Sequence, residues 1–84
     1  MTRRFRRRTP APEGDVPVAV GDRIREMRIS KGMTQAQLGH PYLTAPGVSK
    51  IETGNTSPAL KTLVHFARRL GCRVRDLIPP DLGS

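Results

Sequence analysis

Apolar positions recur with helical spacing over residues 20–78 and nowhere before them. Val20, Ile24 and Met27, followed by Lys31, fall at i, i+4, i+7 and i+11, which predicts a first helix with one buried face. Asp22 and Glu26 early and Arg28 and Lys31 late suit its dipole, and Gly32 should stop it. Thr34-Gln35-Ala36-Gln37 is a capping-box pattern, Thr34 as N-cap with Gln37 reaching back. The second helix it opens must end by about His40, because Pro41 disfavours a helical residue before it. Thr44 is the expected cap of a third helix, with Pro46 tolerated in its first turn and Val48 and Ile51 turned inward. Gly54-Asn55 is a turn pair. Ser57-Pro58 is expected to open a fourth helix whose buried face is Leu60, Leu63, Ala67 and Leu70, with Phe66 adding to it and Gly71 ending it. Val74, Leu77 and Ile78 predict a short fifth helix before Pro79-Pro80. There is no strand alternation and no internal repeat, so the fold class is all-α: five short helices around one core.

Residues 1–19 read differently. Pro10, Pro12, Gly14 and Pro17 argue against any regular element, and Arg3, Arg4, Arg6, Arg7 and Arg8 repel one another. The division expected is therefore a basic tail over 1–19, a folded domain over 20–78 and a short extension over 79–84. Eighty-four residues leave room for one small domain.

Charge adds the first functional clue. Fifteen Lys and Arg against seven Asp and Glu give a net charge of +8, which points to a polyanionic partner, nucleic acid before an anionic membrane. Twelve of the fifteen are Arg, the better donor for forked contacts to phosphate and guanine. The tail holds +3 of that charge, five Arg against Glu13 and Asp15. It reads either as an arm lying on phosphates or in a minor groove, or as a solvated leader. Cys72 stands alone, so no intrachain disulfide forms, and a reducing cytoplasm is the expected setting. No apolar run is long enough to span a membrane.

The ordered set Ile24-Arg25-Glu26-Met27-Arg28, Gly32-Met33-Thr34-Gln35-Ala36-Gln37-Leu38, Val48-Ser49-Lys50-Ile51-Glu52-Thr53-Gly54, Pro58, Leu63 and Ala67-Arg68-Arg69-Leu70-Gly71 resembles the phage repressor/Cro-type helix-turn-helix domain, the XRE-like regulators. The likeness covers about residues 20–78. It implies a lambda-repressor-like fold whose third helix enters the major groove while the second lies across the backbone. By resemblance Ala45, Pro46, Ser49 and Lys50 read bases, and Thr34, Gln35, Thr53, Asn55 and Thr56 meet phosphates; the charge of the tail, outside the likeness, makes Arg3, Arg4, Arg6, Arg7 and Arg8 the expected tail contacts. The backbone around Asn55 and Thr56 would act as a phosphate clamp. Arg28 would pair with Glu52 and tie the first helix to the third. A carboxylate on an apolar inner face is costly unless paired, which agrees with that role.

Two departures from the family pattern stand out. Members usually carry one more residue between the equivalents of Leu38 and Val48, so the second helix should be shorter here, with Tyr42 or Leu43 filling the space. Ala45, Pro46 and Gly47 replace residues that often hydrogen-bond bases. Direct readout then rests on Lys50 and Ser49, and DNA shape and the Arg tail become the other sources of preference.

Other chemistry is thinly represented. His40, His65 and Cys72 have no zinc-type spacing, so no metal and no cofactor is expected. His65 reads as a solvated side chain and Cys72 as a small apolar group near the end of the fourth helix. No nucleophile–base arrangement or phosphate loop is present, and an enzyme is not expected. The function expected is a cytoplasmic, prokaryotic or phage transcriptional regulator, a repressor acting by occupancy of double-stranded DNA as a homodimer, with Leu77, Ile78 and Leu82 as dimer candidates. With no sensor domain it would respond to its own concentration or to a partner. The alternative is an antitoxin or bridging-factor-like interaction module on the same fold, with a toxin or the transcription machinery as protein partner. A membrane or RNA role for the tail is weaker, since no apolar face accompanies the arginines and aromatics are few.

Overall fold

In a computed structural model, residues 12–79 are described, with side chains from Val16 onward. Four α-helices and a closing 3₁₀ turn follow one another: α1 Pro12–Ser30, α2 Gln35–Gly39, α3 Ala45–Glu52, α4 Leu60–Leu70 and the turn Val74–Leu77. The class is all-α, and the expected fifth helix is that single turn. Among the described residues no helix is long and apolar enough to cross a membrane.

The core follows the helical period. Val20 and Ile24 from α1, Leu38 from α2, Val48 and Ile51 from α3, and Phe66, Ala67 and Leu70 from α4 are buried together with Leu77. Met27, Met33, Leu43, Leu63, Cys72 and Val74 pack around them. Burial pushes the Cys72 thiol up, and the nearby Asp76 carboxylate adds to the rise, so the group stays a thiol at neutral pH.

Local signals set the ends of these elements. Thr34 caps α2 in a complete capping box: its hydroxyl oxygen accepts from the Gln37 amide at 3.0 Å, and Gln37 Oε1 accepts from the Thr34 amide at 2.8 Å. Gly71 ends α4 at φ 71°, a left-handed conformation a side chain would strain. Two long-range ties close the domain. Arg69 donates twice to the Gln37 carbonyl, at 2.6 and 3.1 Å, holding the end of α2 to α4. Arg23 Nε donates to the Asp76 carbonyl at 2.9 Å, holding the final turn to α1.

Several boundaries differ from expectation. Helix α1 begins at Pro12, so residues 12–19 are helical despite Pro17 inside it. Proline fits a first helical position, and Pro17 removes one ladder bond close to the helix start, where cooperativity is least disturbed. The segment packs on the α3 end: a Cβ at Gly54 would lie 2.6 Å from Val18 Cγ2. Helix α4 begins at Leu60 with Ala59 as its N-cap, so Ser57-Pro58 lie before the helix and do not open it. Leu60 is 69% exposed and leaves the predicted buried face. Thr44 is the N-cap of α3, but its side chain makes no capping bond. In the shortened link after α2, Leu43 packs on the core while Tyr42 is 77% exposed. Leu77 is wholly buried, which removes it as a dimer contact, and Ile78 is partly exposed. Leu82 and Arg3, Arg4, Arg6, Arg7 and Arg8 lie outside the described residues.

Candidate nucleic-acid interface

The turn between α2 and α3 runs from His40 to Thr44, and the two helices it joins pack on each other. Leu38 and Val48 lock their inner faces and leave the outer ones uncovered. On α3, Pro46 and Lys50 are exposed and Ala45 and Ser49 are half-buried at the edges. This set is small, with Ala45 and Pro46 apolar, Ser49 polar and Lys50 as its one charged donor. An exposed helix of this bulk fits a major groove about 12 Å wide.

Helix α2 places a second group of donors beside it. The first amides of a helix have no intrahelical acceptor. The capping box satisfies that of Gln37, leaving those of Gln35 and Ala36 available to an anion. The Gln35 side chain is partly committed: Nε2 donates to Glu52 Oε1 at 3.1 Å. An amide carries two N–H donors, so one remains for a phosphate. Thr34 is exposed, and its hydroxyl hydrogen is free of the capping bond, in which the oxygen accepts.

Beneath both helices lies a buried polar joint. Arg28 Nε and Nη2 donate to Glu52 Oε2 and Oε1 at 2.6 and 3.1 Å, and Arg28 Nη1 donates to the Met33 carbonyl at 2.8 Å. Glu52 is 3% exposed. Its two oxygens therefore receive three charge-assisted or amide bonds from α1 and α2, which is what makes a buried carboxylate tolerable. The joint fixes the C-terminal end of α3 against the other two helices. The expected role of Gln35 is a phosphate contact, and the bond of its side chain to Glu52 lies outside that expectation. A glutamine seventeen residues from a buried glutamate carries no local signal of that bond.

The loop after α3 is arranged differently from the expected clamp. The amides of Asn55 and Thr56 both donate to the Lys50 carbonyl, at 2.9 and 3.2 Å, and the Thr53 hydroxyl donates to the carbonyls of Ser49 and Lys50. These groups saturate the open end of α3, so neither backbone amide is free for a phosphate. The side chains of Asn55 and Thr56 are exposed and remain as donors.

His65 also departs from expectation. It is half-buried, and its Nε2 is sealed from water with no hydrogen-bond partner among the described residues. No cluster of His, Cys, Asp and Glu able to hold a metal occurs among those residues.

The comparisons with known proteins agree with this geometry. The helix-turn-helix family matches residues 24–77. The chain is 34% identical over 58 residues to the HTH-type transcriptional regulator DdrOP3 of Deinococcus deserti, spanning 68% of this chain but only 45% of that protein. Its fold superposes on the restriction-modification controller protein C.AhdI from Aeromonas hydrophila with a TM-score of 0.70 at 30% identity, covering 74% of this chain and 96% of that one. It also superposes on the clp gene regulator ClgR from C. glutamicum with a TM-score of 0.69 at 25% identity, over 74% and 82% of the two chains. An α2–α3 pair with an open outer face, joined to α1 through a buried arginine–glutamate–glutamine cluster, thus occurs in a chain that belongs to the helix-turn-helix family, of the phage repressor/Cro-like type.

Proposed function

We propose that this protein is a sequence-specific transcriptional repressor that binds double-stranded DNA by placing α3 in the major groove. The observation that carries the reading is the uncovered outer face of α3, held rigid from behind by Glu52. Relatives named as transcriptional and gene regulators support it. Lys50 and Ser49 donate to base edges, and Ala45 and Pro46 offer apolar contact to thymine methyl groups. Thr34, Gln35, Thr53, Asn55 and Thr56 flank this helix as phosphate contacts. For Gln35 the donors are the backbone amide and the second side-chain N–H; for Asn55 and Thr56 they are the side chains. Thr53 has its hydroxyl hydrogen engaged and makes the weakest case of the five.

A domain of this size meets one half-site and binds weakly alone. Two copies set two α3 helices about 34 Å apart on one face of the duplex and block polymerase there. With Leu77 in the core, the contact between copies uses other surface, Ile78 among it.

Lys50→Ala tests the helix assignment. Affinity for the preferred site falls by about 1–3 kcal/mol, and discrimination relaxes at one or two base positions while non-specific binding changes little. The comparison is a competition titration against single-base variants of the site; unchanged discrimination removes α3 from the groove. Deleting residues 1–11 tests the arginine arm. The slope of log K against log salt becomes shallower by about 0.9 for each phosphate that the arm had neutralised. An identical slope makes those arginines a passive leader.

A further inference from the structure

One surface of the domain has no part in DNA binding as proposed above. The link after α2 and the outer side of α4 enclose an open groove of about 760 Å³. Tyr42 and Leu60 are its exposed walls, 77% and 69% open to solvent, and they are the two most exposed large hydrophobics among the described residues. Leu43 and Val64 continue the apolar lining, and Lys61 and Arg68 stand on the rim. His65 lies between them, edge-on to Tyr42 with ring centroids 4.9 Å apart. Its Nε2 is shut away from water without a hydrogen-bond partner among the described residues. Two large hydrophobics this exposed, lining one groove, offer an apolar surface to a partner.

Charge selects the occupant. No Asp or Glu lines the groove, and both of its charged side chains are cations. A second copy meeting it groove to groove, about a twofold axis through the groove, would bring Lys61 and Arg68 against their own equivalents, a like-charge arrangement that specific interfaces avoid. The arginine-rich segment at residues 3–8 has the same sign and is excluded for the same reason. A nucleic-acid backbone matches the rim but leaves the apolar walls wet.

We infer that this groove binds an acidic amphipathic helix of a protein partner. Its apolar side chains at i, i+3 and i+4 or i+7 cover Tyr42, Leu60 and Leu43, and its flanking carboxylates meet Lys61 and Arg68. None of these residues belongs to the DNA-facing set, so the groove and the α3 assignment are tested separately.

Selection from a phage-displayed library of random 12-residue peptides against the full chain tests it. The expected outcome is enrichment of sequences with Asp and Glu flanking Leu, Ile or Phe at helical spacing. The best such peptide loses roughly tenfold or more in affinity to Leu60→Asp, to Tyr42→Ala and to the Lys61→Glu/Arg68→Glu double variant. Binding also shifts the imidazole resonances of His65. Leu60 and Tyr42 are mainly exposed to solvent, so thermal midpoints of these variants stay at the wild-type value, and site affinity of Tyr42→Ala for DNA is unchanged. Failure to enrich peptides, enrichment of sequences lacking acids, or binding indifferent to Leu60→Asp and Tyr42→Ala alike overturns the inference. So does sedimentation showing a wild-type dimer that Leu60→Asp dissociates, since the occupant would then be a second copy.

Discussion

Glu52→Ala lowers folding stability by about 3–5 kcal/mol, the range for removing one partner of a buried ion pair. The loss is large because three donors depend on that carboxylate. Arg28, with a side chain 12% exposed, keeps its bond to the Met33 carbonyl but loses both bonds to Glu52. Gln35 loses the acceptor that ties α2 to α3. For a domain this small each kcal/mol moves the thermal midpoint by about 4–8 °C, so a drop of more than 10 °C is expected. DNA affinity falls further than stability alone explains, because the end of α3 is no longer fixed. Replacing both partners by apolar residues of similar size, as in Arg28→Met/Glu52→Leu, recovers most of the stability without recovering full affinity. A midpoint for Glu52→Ala within 2 °C of wild type, roughly half a kcal/mol on that scale, means the pair is not buried as described.

Gly21→Ala costs about 3 kcal/mol, at the upper end for overpacking. An added Cβ would overlap the Ile51 carbonyl oxygen and stand 2.7 Å from that of Glu52. Both neighbours are backbone at the end of α3, so no side chain can swing aside, and α1 must back away from α3. The same displacement stretches the Arg28–Glu52 joint, so stability and DNA affinity fall together. Gly47→Ala is the internal comparison. Its Cβ meets Leu43 Cδ2 at 3.5 Å, an ordinary contact, and alanine favours the helix by about 1 kcal/mol. The two glycine replacements are thus expected to move urea midpoints in opposite directions. Equal and small effects contradict the close α1–α3 packing.

The difference between those glycines shows what the chain makes legible. Local grammar is readable: the Thr34–Gln37 box, the stop at Gly71 and the buried series Val20, Ile24, Val48, Ile51, Phe66, Ala67 and Leu70 all follow from spacing and capping chemistry. Decisions made by tertiary contact are not. Helix α1 starts at Pro12 although two prolines locally argue for a tail, and its Val18 packs close to Gly54, far away in sequence. The late start of α4 leaves Leu60 outside the core, although its spacing to Leu63, Ala67 and Leu70 places it inside on paper.

The candidate interface divides the same way. Which residues line α3 follows from its period once its limits are known. Which donors remain free does not. The Asn55 and Thr56 amides are consumed by the Lys50 carbonyl, and half of the Gln35 amide group is consumed by Glu52. Both outcomes depend on how a helix end saturates its orphan groups in three dimensions. The pairing of His65 with Tyr42 likewise arises from a link and a helix more than twenty residues apart.

The most direct test of sequence-specific binding through α3 is selection of bound sequences from a random duplex pool at about 150 mM salt, where purely electrostatic binding is weak. The expected result is a palindromic motif with half-sites one helical turn apart, bound by two copies of the protein. Recovery of no motif, with binding that only fades as salt rises, contradicts it.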